Sequence, residues 1–115
     1  MYTIHYDAAK NRVAVQVIEI NKNNVNDYIA EMTELLENVK PGFTGIADMS
    51  EGKLFTMEVA DKLSHLGQLS VDHGMSKWAY FTGSTVSKMQ MKRMFGDLVN
   101  SFNKLEDAEA FLDNE

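Results

Sequence analysis

The sequence predicts an α/β fold: a small mixed β-sheet with an N-terminal β-hairpin and alternating α/β units, its helices packed on the sheet. Three observations lead there. Two segments of β-forming residues, 2–7 and 12–20, flank a short polar break at the start of the chain. Beyond them, apolar residues at steps of three and four alternate with short apolar runs, so the hydrophobic period switches repeatedly between helix and strand. Finally, 115 residues, 44% of them hydrophobic and none of them cysteine, make one domain spanning 1–115. Such a chain hides roughly two thirds of its unfolded surface in a single core and must stand on packing without disulfides.

In the first strand Ile4 and Tyr6 alternate with polar neighbours; in the second Val13, Val15 and Val17 do so, and Asp7-Ala8-Ala9-Lys10-Asn11 between them reads as a hairpin loop. The polar break Asn21-Lys22-Asn23-Asn24 ends in a residue suited to N-capping. Val25, Tyr28, Ile29, Met32, Leu35, Leu36 and Val39 then form one helical face, which Pro41-Gly42 terminates. A strand is expected over 43–48, ending at Asp48. After the loop 49–53, Thr56 is placed to cap a second helix built on Met57, Ala60, Leu63 and Leu66, closed by His73-Gly74. Lys77-Trp78-Ala79-Tyr80-Phe81-Thr82 is nearly continuous in apolar character, as a strand covered on both faces should be, and belongs at the sheet centre. Gly83-Ser84-Thr85 opens a third helix carrying Val86, Met89, Met94, Phe95, Leu98 and Val99. Ser101-Phe102-Asn103 reads as a short strand, and Leu105, Ala108, Phe111 and Leu112 form a last helix face.

Acidic residues outnumber basic ones 17 to 11, a net charge of -6 that repels phosphate-coated partners, so nucleic acid is not expected. Lys88, Lys92 and Arg93 make the nearest approach to a basic patch, and the solvated face of a helix accounts for them. The N-terminus lacks the basic flank and apolar run of a signal peptide, and no stretch nears the ~20 apolar residues of a membrane span, so the expected location is the cytoplasm. Without cysteine there is no thiolate metal site or thiol nucleophile. His65 and His73, eight apart on one helix, diverge by roughly 80° around its axis, so no metal and no cofactor are expected. No Gly-x-Ser-x-Gly elbow occurs, so hydrolase chemistry has no nucleophile in place.

Two groups of candidate binding residues remain. Asp48 and Thr82 end neighbouring strands at the carboxyl edge of the sheet, where α/β folds place ligands, and Ser84 opens a helix whose N–H groups can meet an anion. Hydrogen bonding to its own loop is the competing role for Asp48, and plain capping for Ser84. Met57, Met89 and Met94 fall on helix faces expected to look at the sheet, where adaptable thioethers line a candidate apolar pocket or simply fill the core.

The hairpin opening, the strand Gly45-Ile46-Ala47-Asp48 with its loop and helix, the strand Trp78-Ala79-Tyr80-Phe81-Thr82 and the closing phrase Phe102…Glu106-Asp107-Ala108-Glu109-Ala110-Phe111-Leu112 together resemble the SpoIIAA-like branch of the STAS-domain superfamily. That resemblance implies helices backing a mixed sheet, no enzymatic activity, and contacts gathered where the strand 43–48 meets the next helix. It also implies a regulatory module whose partner is a protein, a homodimer being one option. The Asp-Ser-x-Gly phrase of the phosphorylated anti-sigma-factor antagonists is absent. The nearest hydroxyls are Ser50 and Thr56, and Glu58 in the same turn opposes a phosphate there. Members of this branch are also similar to Sec14-type lipid carriers, which implies the alternative of a carrier or sensor of an apolar small molecule.

Overall fold

Ile4 and Tyr6 alternate as a strand should, and β1 (Tyr2–Asp7) pairs antiparallel with β2 (Arg12–Val17), Tyr2 opposite Val17 and Tyr6 opposite Val13. The computed structural model describes residues 1–114. Along it follow α1 (Val25–Leu36), β3 (Thr44–Asp48), α2 (Met57–Asp72), β4 (Lys77–Phe81), α3 (Thr85–Phe95), a 3-10 turn at Gly96–Leu98, β5 (Asn100–Phe102) and α4 (Leu105–Asp113). The five strands lie side by side in sequence order, with β2 to β5 parallel. Strand β3 therefore holds the middle; β4, expected there, lies one place from the edge and is still covered on both sides.

Parallel strands laid down in one direction, each reached by a crossover of the same hand, bring their helices to one face of the sheet. That face carries the main core: Val13, Val15 and Val17 of β2, Ala47 of β3, Trp78 and Tyr80 of β4, covered by α1, α2 and α3 through Met32, Leu63 and Met91. Helix α4 returns to the opposite face, where Ala108 and Leu112 pack on Ile46 and Ala79. Its end is held by the Arg12 guanidinium, which donates to Asp113 at 2.6 Å and to Thr44 Oγ1 at 3.0 Å. That contact holds the Asp113 carboxyl below the usual carboxylate range. No helix among the described residues is long and apolar enough to cross a membrane.

Most element ends follow their local chemistry. Thr56 and Ser84 cap α2 and α3, accepting from Val59 N and Ser87 N. Gly74, at φ 93, turns the chain after α2. Asn24 departs from expectation: its amide makes no helix cap, because Oδ1 accepts from Asn21 N at 2.7 Å and Nδ2 donates to Glu19 O at 3.0 Å. The asparagine closes the preceding turn instead of opening α1.

Candidate functional site

At the carboxyl edge of β3 and β4 the structure gathers Asp48, Ser50, Thr56, Thr82 and Ser84, and each is occupied locally. Asp48 Oδ1 accepts from Ser50 N at 2.9 Å and from Ser50 Oγ at 2.6 Å, closing the loop after β3. Thr82 is buried, its Oγ1 accepting from Ser84 N at 3.2 Å, while its N–H donates to Phe102 O. Thr56 Oγ1 takes the Val59 N–H at 3.3 Å and Ser84 Oγ the Ser87 N–H at 3.2 Å. In this arrangement the hydroxyls organise strand ends and helix starts. Thr56→Ala should therefore cost about 1 kcal/mol of stability, the typical value of a lost N-cap, as read by urea unfolding. An unchanged midpoint would remove the cap.

The feature with room for a ligand lies deeper, between the sheet and helices α1 to α3. Parity on the strands creates it. Register sets Gly45 beside Trp78 and Ala47 beside Tyr80, so β3 presents two of the smallest side chains between bulkier neighbours. The indole leans across the gap at Gly45, where a Cβ would stand only 1.9 Å from Trp78 Cε3. The gap at Ala47 stays open. The resulting cavity has an empty volume of about 590 Å³ with its open mouth included, and about 50 Å³ of it admits the centre of a water-sized molecule. That is roughly three to five times the room one water needs, so the space is narrow. Its walls are almost wholly apolar, and five of the chain's eight methionines line it: Met32, Met49, Met75, Met91 and Met94. Half-exposed Leu98 stands at the rim.

The cavity's few polar groups are neutral. Ser70 Oγ is engaged, donating to Leu66 O at 2.7 Å. Burial pushes the phenols of Tyr28 and Tyr80 above their ordinary range, each raised further by a neighbouring tyrosine, so both stay protonated. On the outer side of α1 the Tyr2 hydroxyl donates to Glu31, and its pKa rises to about 12 for that reason first. The Tyr2 and Tyr28 rings meet edge to face at 5.0 Å.

Two of the three methionines assigned to a pocket from sequence are misplaced, and helix phase is the reason. Helix α2 turns Val59, Leu63, Leu66 and Ser70 inward, while Met57, two residues before Val59, lies about 200° around the axis and is 83% exposed. In α3 the inward residues are Ser87 and Met91, which puts Met89 on the far side at 59% exposure. Met94 does line the cavity. Reading the small-residue parity of β3 beside β4, instead of the helices alone, would have pointed to Met49, Trp78 and Tyr80; Met91 carries no such signal in the sequence.

Outside the cavity the exposed methionines have company. The Phe55 backbone is clamped by the Gln90 side chain, N–H to Oε1 at 3.1 Å and Nε2 to O at 2.8 Å. This clamp ties the segment bearing exposed Leu54 and Met57 to α3, where Val86 and Met89 are also exposed.

No family model matches the chain, and no curated protein matches it. Among solved structures it is similar to an uncharacterized protein of the DUF3478 family from Shewanella loihica PV-4, described as having a SpoIIAA-like fold. The TM-score is 0.72 over 96% of this chain and 93% of that one, at 14% sequence identity. A likeness of that kind carries the fold: the chain has the SpoIIAA-like architecture its sequence resembles.

Proposed function

We propose that this chain is a non-catalytic domain that binds an apolar small molecule between its sheet and helices α1 to α3, as a carrier or sensor. The observation that carries the reading is the methionine-lined cavity over Ala47. Apolar surface taken from water there contributes about 25 cal/mol per Å². Flexible thioethers can move aside, which a space this narrow requires. The shape favours a thin chain over fused rings.

A compound that binds only the folded state raises its stability by about 2.7 kcal/mol at a hundredfold excess over its Kd, roughly 10 °C in Tm for a domain of this size. A thermal-shift screen of fatty acids, linear isoprenoids and sterols should therefore give a concentration-dependent rise for the chain-like compounds. Ala47→Leu, which fills the gap beside Tyr80, should fold and abolish that rise. A screen in which no compound moves the midpoint sinks the reading.

One observation favours a second reading, a regulatory module that docks a protein partner. Leu54, Met57, Val86 and Met89 expose apolar side chains at the starts of α2 and α3, beside the edge where Ser50 and Thr56 sit. Exposed apolar clusters of this kind mark interaction surfaces. On this reading the cavity is ordinary packing slack and stays empty in the screen.

A further inference from the structure

The donors of the cavity outnumber its uses for them. Trp78 Nε1 is buried and, among the described residues, is the one buried side-chain nitrogen or oxygen without a hydrogen-bond partner. An indole N–H can only donate. Tyr28 and Tyr80, each 7% exposed, line the same cavity, and among the described residues neither hydroxyl has a hydrogen-bond partner. The Tyr6 hydroxyl, outside the cavity, shows the contrast, donating to Asn11 Oδ1. A buried donor left unpaired costs about 1–3 kcal/mol, a penalty that Trp78 Nε1 alone carries here, and the two tyrosine hydroxyls add further donors without a protein partner to the same wall. No lysine, arginine or histidine lies in the wall. An anion buried there would lose its hydration with no counter-charge to replace it. A pure hydrocarbon would leave all three donors unmet.

Resting on the ligand-binding reading above, we infer that the cavity selects a neutral apolar molecule carrying a hydrogen-bond acceptor, a ketone, quinone or ester carbonyl, received by the Tyr28 or Tyr80 hydroxyl together with Trp78 Nε1. Strand geometry supports the grouping. Trp78 and Tyr80 stand two residues apart on β4, so both side chains rise from the helix-facing side of the sheet. Tyr28 approaches the same cavity from α1.

The chain has one tryptophan, so its emission reports this cavity directly. Titrating the whole chain with decane, 2-decanone and decanoate at pH 7 holds chain length fixed while varying the end group. The ketone should change Trp78 emission with an apparent Kd at least tenfold below those of the other two. In Tyr28→Phe and Tyr80→Phe, decane binding should be unchanged, and the preference for the ketone should fall below about threefold in at least one of them. Equal binding of ketone and decane, tightest binding of decanoate, or a preference intact in both variants would overturn the inference while leaving an apolar site standing. Binding of none of the three would overturn both.

Discussion

Gly45→Ala should cost about 3 kcal/mol of stability, a large effect for one methyl group. An ideal Cβ at this position stands 1.9 Å from Trp78 Cε3, 2.1 Å from Cζ3 and 2.5 Å from Cδ2. The obstacle is a rigid, buried ring, and it can clear the methyl only by leaving its place over β3. Trp78→Ala alone should cost about 3–5 kcal/mol through lost burial and the void left behind. Made together, the two changes should not add: with the indole gone, the alanine methyl enters vacated space, and alanine suits a strand at least as well as glycine. The double mutant should therefore be more stable than the sum of the single effects by roughly 2–3 kcal/mol. Urea unfolding followed by far-ultraviolet circular dichroism checks this without relying on the tryptophan. Strict additivity would mean that the indole does not lie over Gly45.

Phe43→Ala should cost about 3–5 kcal/mol, and Met57→Ala no more than about 0.5 kcal/mol. Phe43 is fully buried at the entry to β3. Its carbonyl accepts from Ser76 N at 2.8 Å and from Ser76 Oγ at 3.1 Å, so the backbone is tied on the far side and cannot settle into the hole. Met57, in contrast, projects into solvent from the first residue of α2. Denaturant midpoints of the two variants measure the contrast. Comparable losses would place Met57 in the core and return it to the pocket from which helix phase excludes it.

Local chemistry made the elements legible. The period-2 run of Val13, Val15 and Val17, the threonine before Met57, the serine before Thr85 and the His73-Gly74 ending each act within a few residues, and each reappears as an element or its boundary. The candidate site was legible only in part. Asp48, Thr56, Thr82 and Ser84 do collect at one edge, as strand order and direction require, yet their oxygens are engaged in loops and caps. A sequence cannot separate a hydroxyl that caps from one that awaits a ligand, since both sit at the same turn. Met89 and Met91 show the finer limit: two positions apart on a helix means opposite sides, and a weakly amphipathic segment such as 85–95 admits more than one choice of inward face.

By itself the sequence determined the order of strands and helices, the hairpin, the burial of Trp78 and Tyr80 and the resemblance to the SpoIIAA-like architecture. These follow from hydrophobic period, turn residues and chain direction, all of which act along the backbone. Only the tertiary structure decided that β3 holds the middle of the sheet, that Met91 points inward while Met89 does not, and that a cavity remains over Ala47. A cavity is a difference between volumes contributed by residues far apart in sequence, here Gly45 and Ala47 against Trp78 and Tyr80 on the next strand and three helices above. Composition can sum those volumes, but the space left between them exists only once register and helix phase have brought the side chains together.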